Sequence, residues 1–153
     1  MNVISKDDIA HYIGVETEPT EWFVVSQAQI NQFADCTLDH QFIHTDPIKA
    51  QDTMFGSTIA HGLLSLSMLP HFAGRFGYQL EGASMGLNYG FDKVRFIHPV
   101  TVNSRIRARA KLLAVDEKRP GHYTFKSEVV VEIEGEKKPA LVAVWLAVQI
   151  VPE

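Results

Sequence analysis

The chain has 153 residues, 46% of them hydrophobic and 21% charged, a balance that excludes a disordered or fibrous polypeptide and fits one soluble domain. The net charge of −4 argues against a nucleic-acid binder, whose surface carries a basic excess. A chain of this length buries roughly 68–70% of its unfolded surface, so it needs no covalent staple, and its one cysteine, Cys36, can form no internal bridge, which fits a reducing cytoplasm.

The N-terminal stretch MNVISKDDIAHYIG has neither a basic start nor an unbroken apolar run, so it predicts neither a leader peptide nor a membrane anchor. It predicts a short helix instead. Ser5 and Asp8 have capping-box spacing, Ile4 and Ile9 that of a hydrophobic staple, and Gly14 can end the segment. Glu21–Val25, EWFVV, is rich in aromatic and β-branched residues and suits a strand. Ser26 and Gln29 repeat the capping box ahead of Ile30, Phe33 and Ala34, which share one helical face.

Next comes CTLDHQFIHTD, Cys36–Asp46, with no helical or strand period and therefore expected to be a loop. After it, IAHGLLSLSMLPHFAGRF places Ile59, Leu63, Leu64, Leu66, Met68, Leu69 and Phe72 all round a helix, the pattern of one buried on most sides. Pro70 is expected to kink or end its first segment.

From about residue 87 the period becomes alternating. Ile106, Ala108, Ala110, Leu112 and Ala114 form a core face, with Arg105, Arg107, Arg109 and Lys111 on the wet one. Phe125, Ser127, Val129, Val131 and Ile133 repeat the pattern against Lys126, Glu128, Glu132 and Glu134. The turn RPGH, Arg119–His122, joins the two as an antiparallel hairpin, which sets the acidic outer row against the basic one. These charge runs are read as a solvated face. ALVAVWLAVQIV is apolar on both faces and predicts a central strand covered on both sides. A few short helices, one of them enclosed, followed by a block of antiparallel strands describe an α+β fold in which a sheet wraps a hydrophobic helix. No repeat or linker divides residues 1–153 into two domains.

Two segments carry titratable or donor groups in suggestive places. Asp39 and His44 are five residues apart, a spacing that separates side chains on a helix or a strand, so an irregular loop is needed to bring them together. Converged, they could share one water, the carboxylate accepting its proton and the imidazole orienting it or relaying charge. Read alone, the same stretch is equally a solvated loop in which Asp39 caps a turn. In FGSTIAHGLLSL, Ser57 or Thr58 can cap the buried helix and leave first-turn N–H groups near Ala60, His61 and Gly62 without helical partners. Such donors suit a developing oxyanion. Gly62 lets a carbonyl approach closely, although a close helix–sheet contact would also call for glycine.

Together these segments resemble the MaoC-like dehydratases, the hot-dog-fold family that includes the (R)-specific enoyl-CoA hydratases. Thr37, Leu38, Asp39, His40, Gln41, Phe42, Ile43 and His44 align with a motif of Ser or Thr, Gly, Asp, any residue, Asn, Pro, an aliphatic residue and His. FGSTIAHG resembles the family's helix start, and NYGFDKVRFIHPV, Asn88–Val100, its strand leading into the sheet. Leu38 stands where the motif has Gly, so a positive φ there would strain or reroute the backbone. Gln41 and Phe42 replace Asn and Pro; Gln41 keeps its hydrogen-bonding capacity, and the loop must be held by packing.

The resemblance implies a hot-dog fold and reversible hydration of a trans-2-enoyl thioester to the (R)-3-hydroxyacyl thioester. It implies Asp39 and His44 as the acid–base pair and Gly62 N–H as the oxyanion donor, with Gln41, Ser57, His61, Lys93 and Arg95 in substrate binding. The acyl-CoA thioester is the substrate and no cofactor is implied. The polyanionic CoA calls for cations, among which Lys93, Arg95 and Arg75 are candidates. A homodimer that continues the sheet is also implied. His40 and His44, at i and i+4, lack an obvious third ligand, so no metal is expected. A hot-dog thioesterase and a non-catalytic acyl-CoA or acyl-carrier binding module are the alternatives.

Overall fold

The computed structural model describes residues 2–152. Five strands form one antiparallel sheet in the order β2 (Phe23–Val24), β5 (Arg105–Arg119), β6 (His122–Ile133), β7 (Leu141–Ile150), β4 (Met85–Phe96). Helices α2 (Gln27–Thr37), α5 (Gly62–Ser67) and α6 (Leu69–Phe76) cover its inner face. Ile106, Ala108, Ala110, Val129, Val131, Leu141 and Ala143 point inward and meet Ile30, Leu64, Leu69 and Phe72 in the main core. The predicted wrapping of a sheet around a hydrophobic helix is thus present.

The long helical segment divides where Pro70 is expected to end it: Pro70 occupies the first turn of α6 and the chain breaks at Met68, as a ring that lacks an N–H tolerates only a helix start. Other local expectations need correction. The enclosure of this helical segment is incomplete, since Leu63 is 58% exposed. Ala114 leaves the core face because a register shift between Leu112 and Ala114 pairs it with Lys126 on the outer side, the usual consequence of a bulge. Strand β7 is internal as predicted, yet Val142, Val144, Leu146 and Val148 on its outer face are half-buried, so within this chain only its inner face is covered.

At the N-terminus, the Asp8 N–H donates to the Ser5 hydroxyl as in a capping box, and that hydroxyl in turn donates to the Asp8 carboxylate, but as a turn ahead of the four-residue α1 (Ile9–Tyr12). Ile4 is no staple. It belongs to β1 (Asn2–Ile4), which pairs in parallel with β3 (Tyr78–Leu80) and joins Leu80, Leu112, Tyr123 and Phe125 in a second buried cluster. The chain then runs along β5, with Gly14, Thr17 and Thr20 donating to the carbonyls of Leu112, Ala110 and Ala108. That strap satisfies one edge of the sheet, whereas β4 forms the other edge with Leu87, Tyr89, Phe91 and Phe96 exposed. On the wet face Arg105 pairs with Glu134, and Arg107 and Arg109 both reach Glu132, as the hairpin register predicts. No described helix is long and apolar enough to cross a membrane.

Candidate active site

The local chain path assembles the site. Helix α2 starts at Ser26, whose side chain accepts from the N–H of Gln29, and ends at Leu38, which adopts φ 62° and ψ 21°. This left-handed cap turns the chain outward, and Asp39 follows on an exposed loop. Gln41 opens the one-turn helix α3 (Phe42–Thr45), which carries His44 inward to 7% exposure. The predicted irregular loop therefore holds Asp39 alone. Asp46 caps α4 (Pro47–Gln51), its carboxylate accepting from the N–H groups of Ile48 and Lys49 at 3.1 Å each. Those bonds hold its pKa below the ordinary carboxylate value. Beyond α4, Ile59 N–H bonds to Ile43 and Ala60 N–H to Val100, which stitches the approach to α5 between α3 and the sheet.

His44 and His61 stack with ring centroids 3.8 Å apart and planes at 24°. His44 Nδ1 lies 2.7 Å from the carbonyl oxygen of Ile59. A carbonyl only accepts, so this nitrogen carries the proton and Nε2 of the neutral ring is left with a free lone pair. Burial pushes the His44 pKa below the ordinary imidazole value; the Ile59 bond opposes this, His61 adds to it and the Asp39 charge opposes it. His61 Nε2 lies 3.0 Å from the carbonyl oxygen of Asp39 and 3.9 Å from its carboxylate. Gln27, not anticipated from the sequence, braces the pair, its amide donating to the carbonyl of His44 at 2.7 Å and accepting from the hydroxyl of Thr58. With 17 and 31 positions between the partners, no sequence pattern links them.

Gly62 is the first residue of α5, and among the described residues its N–H meets no acceptor. A Cβ here would lie 2.9 Å from the Phe96 ring, so the tight helix–sheet contact calls for glycine, and its amide is left free. The helix cap is His61, not Ser57 or Thr58, because the chain stays extended for three residues after Thr58. The Ser57 hydroxyl turns to the Thr58 carbonyl.

The remaining predicted residues divide. Gln41 is exposed beside Asp39, with its backbone N–H 3.4 Å from the carboxylate. Lys93 and Arg95 pair with Val144 and Val142, which puts them on the outer face of the sheet, opposite the face that α2, α5 and α6 cover. His61 is buried against Asp39 and His44, which makes it a neighbour of the dyad. For a metal, the third ligand missing from the sequence reading is this same His61, and one donor atom from each of Asp39, His44 and His61 lies within 4.8 Å of the others. The two imidazole planes run nearly parallel, however, so their in-plane lone pairs do not converge on one ion as a compact coordination shell requires.

An apolar cavity of about 400 Å³ lies farther along the helices. Pro70, Ala73, Leu112, Phe125, Trp145 and Ala147 are among its walls. Small residues on the inner sheet face, Ala110, Ser127 and Ala147, leave it open.

A curled antiparallel sheet around a central helix defines a hot-dog-fold protein, and in this one Asp39, His44 and His61 come within reach of one another. A family model for the MaoC-like domain matches residues 8–134, and the chain belongs to the MaoC-like dehydratase family. It is 44% identical over 151 residues to nodulation protein N of Rhizobium meliloti (strain 1021), covering 97% of this chain and 92% of that one. It is 41% identical over 136 residues to 3-hydroxyacyl-thioester dehydratase Z of Mycobacterium tuberculosis, covering 89% of each. A solved structure described as a monoamine oxidase regulatory protein from Archaeoglobus fulgius superposes with a TM-score of 0.80 at 24% identity, over 100% of this chain and 98% of that one.

Proposed function

We propose that this chain, as one MaoC-like domain acting in the cytoplasm, reversibly hydrates trans-2-enoyl-CoA thioesters to (R)-3-hydroxyacyl-CoA. The observation that carries the reading is the convergence of Asp39 and an Nδ1-protonated His44, with Gly62 N–H at the start of α5, directly after the His61 that touches both. Its 41% identity to a 3-hydroxyacyl-thioester dehydratase supports the thioester class. The (R) hand rests on the motif resemblance.

The reaction adds the elements of water and changes no oxidation state overall, so it calls for no redox cofactor. A water held between the Asp39 carboxylate and His44 Nε2 gives up a proton to that pair as its oxygen bonds to C3. The C2–C3 π electrons move toward the thioester carbonyl, and the resulting enolate oxygen takes the Gly62 N–H bond. The pair then returns a proton to C2 and the carbonyl re-forms. Positioned acid–base help of this kind is worth roughly 10²–10⁴-fold in rate.

The alkyl tail runs along α5 and α6 into the apolar cavity, one of whose walls is Pro70 in the first turn of α6. CoA enters where a partner subunit completes the site. Edge strand β4, with its exposed apolar side chains, pairs with its own copy in a homodimer, which leaves that edge with no unpaired backbone.

Short and long trans-2-enoyl-CoA esters offered to the purified protein test this reading. The conjugated absorbance should fall without thiol release, with (R)-3-hydroxyacyl-CoA as product, and Ala147→Phe should impair the long esters while sparing the short. Thiol release would instead make the chain a thioesterase, and binding without turnover an acyl-CoA binding module.

A further inference from the structure

His61 takes no step in the hydration above, yet it touches both groups that do. It is 4% exposed. One ring face stacks on His44 at 3.8 Å, and Phe33 lies 5.0 Å away at a tilt of 52°. Its Nε2 donates to the Asp39 carbonyl at 3.0 Å, which assigns the proton to that nitrogen. Asp39 needs such a tether, because it sits on an exposed loop directly after the left-handed Leu38. Its carboxylate takes only a long 3.4 Å bond from the Gln41 N–H, and no other backbone bond to Asp39 exists among the described residues. His61 itself is fixed from behind, since the preceding Ala60 donates to Val100 at 2.7 Å. The following residue is Gly62, so one backbone segment sets the positions of the imidazole clamp and the free amide together.

We propose that His61 is a positioning residue that holds the Asp39 carboxylate at a fixed separation from the His44 ring and from the Gly62 amide. The inference rests on the reading of Asp39 and His44 as the acid–base pair. It assigns two separable tasks to one side chain. The Nε2–H anchors the Asp39 main chain, and the flat ring sets the plane of His44. A buried ring with one committed nitrogen and a second, Nδ1, that has no partner among the described residues is retained for placement, since a leucine would fill the same space without an unpaired polar atom.

Two variants separate the tasks. His61→Phe keeps a buried ring against His44 and removes the donor; His61→Gln keeps a donor and removes the ring. Backbone ¹⁵N relaxation at Asp39 and His40 reads the tether without any substrate. Order parameters of about 0.85 in the wild type should fall below about 0.6 in His61→Phe and recover in His61→Gln. In turnover of enoyl-CoA, kcat of His61→Phe should fall by about 10²-fold with KM nearly unchanged, because the displaced groups act on the reacting atoms and not on the bulk of the substrate. An Asp39 segment as rigid in His61→Phe as in the wild type overturns the proposal, as does a rise in KM with kcat intact. A wild-type protein that is rigid at Asp39 but hydrates no enoyl thioester, with His61→Phe loosened, leaves the tether standing and overturns the proposed function.

Discussion

The Nδ1–H of His44 donates to the carbonyl of Ile59 at 2.7 Å, and that bond decides which nitrogen faces a substrate. It also bears on stability against pH. The folded-state pKa of His44 is depressed, chiefly by burial, so the unfolded chain takes up the proton first as the solution is acidified. The stability gained from burying the neutral ring is complete above the ordinary imidazole value of about 6.5. It is lost as pH falls from there toward the lower folded value. Calorimetry from pH 7.5 to 5 should show Tm falling below about pH 6.5, with a shallower fall in His44→Gln. Equal slopes in the two proteins would remove His44 as the source.

Asp39 is the opposite case, because its exposed carboxylate contributes little to the fold. Asp39→Asn keeps the side-chain shape and can still orient a water, but cannot take its proton. Unfolding free energies from denaturant titration should stay within about 0.5 kcal/mol of wild type, while the hydration rate falls by roughly 10²–10⁴-fold. Near wild-type turnover would sink the acid–base assignment.

The contrast between those residues shows what the sequence could and could not disclose. Alternation disclosed the hairpin, its charge rows and its core face as far as Leu112, because each strand residue's side is set by a two-residue period; the bulge that turns Ala114 outward has no such signal. The motif spacing singled out Asp39 and His44, which the structure brings close together beside His61. It could not locate Gln27, whose contacts with Thr58 and His44 depend on how α2 packs, nor the tether from His61 to Asp39, which spans 22 positions. Nor could it show that Lys93 and Arg95 lie on the outer face of the sheet, since a charge near a motif in sequence says nothing about which sheet face it occupies. Pro70 carried enough local chemistry to mark the break between α5 and α6, whereas the exposure of Leu63 depends on what the sheet leaves uncovered.

Leu38 offers a test of strain at the edge of the site. It holds φ 62° where the family motif has glycine, and its side chain is 81% exposed, so little packing offsets the clash of Cβ with the following carbonyl. That clash costs roughly 1–2 kcal/mol, partly cancelled in a Leu38→Gly variant by the greater freedom glycine gives the unfolded chain. Leu38→Gly should therefore be more stable by about 0.5–1 kcal/mol in chemical denaturation. A loss of stability would mean that Leu38 makes a contact outside this chain, with the partner subunit of the proposed dimer as the first place to look.

Gly62 and Phe96 make the last prediction a coupled one. A methyl at position 62 would sit 2.9–3.1 Å from three atoms of the Phe96 ring, so the ring or the first turn of α5 must move. Overpacking of this kind costs about 1–3 kcal/mol. If α5 moves, the Gly62 N–H leaves its place, and loss of one oxyanion donor lowers the rate by about 10²–10³-fold. Phe96 is half-exposed at the end of edge strand β4, so Phe96→Ala removes the obstruction at modest cost. Combined with Gly62→Ala it should recover most of the lost stability and, if the amide alone carries the rate effect, most of the activity. Thermal melts and enoyl-CoA kinetics on the two single variants and the double variant give the coupling directly. Additive losses would show that the Phe96 contact does not hold α5 in place, and a Phe96→Ala rate as low as that of Gly62→Ala would transfer the effect from the amide to the aromatic ring.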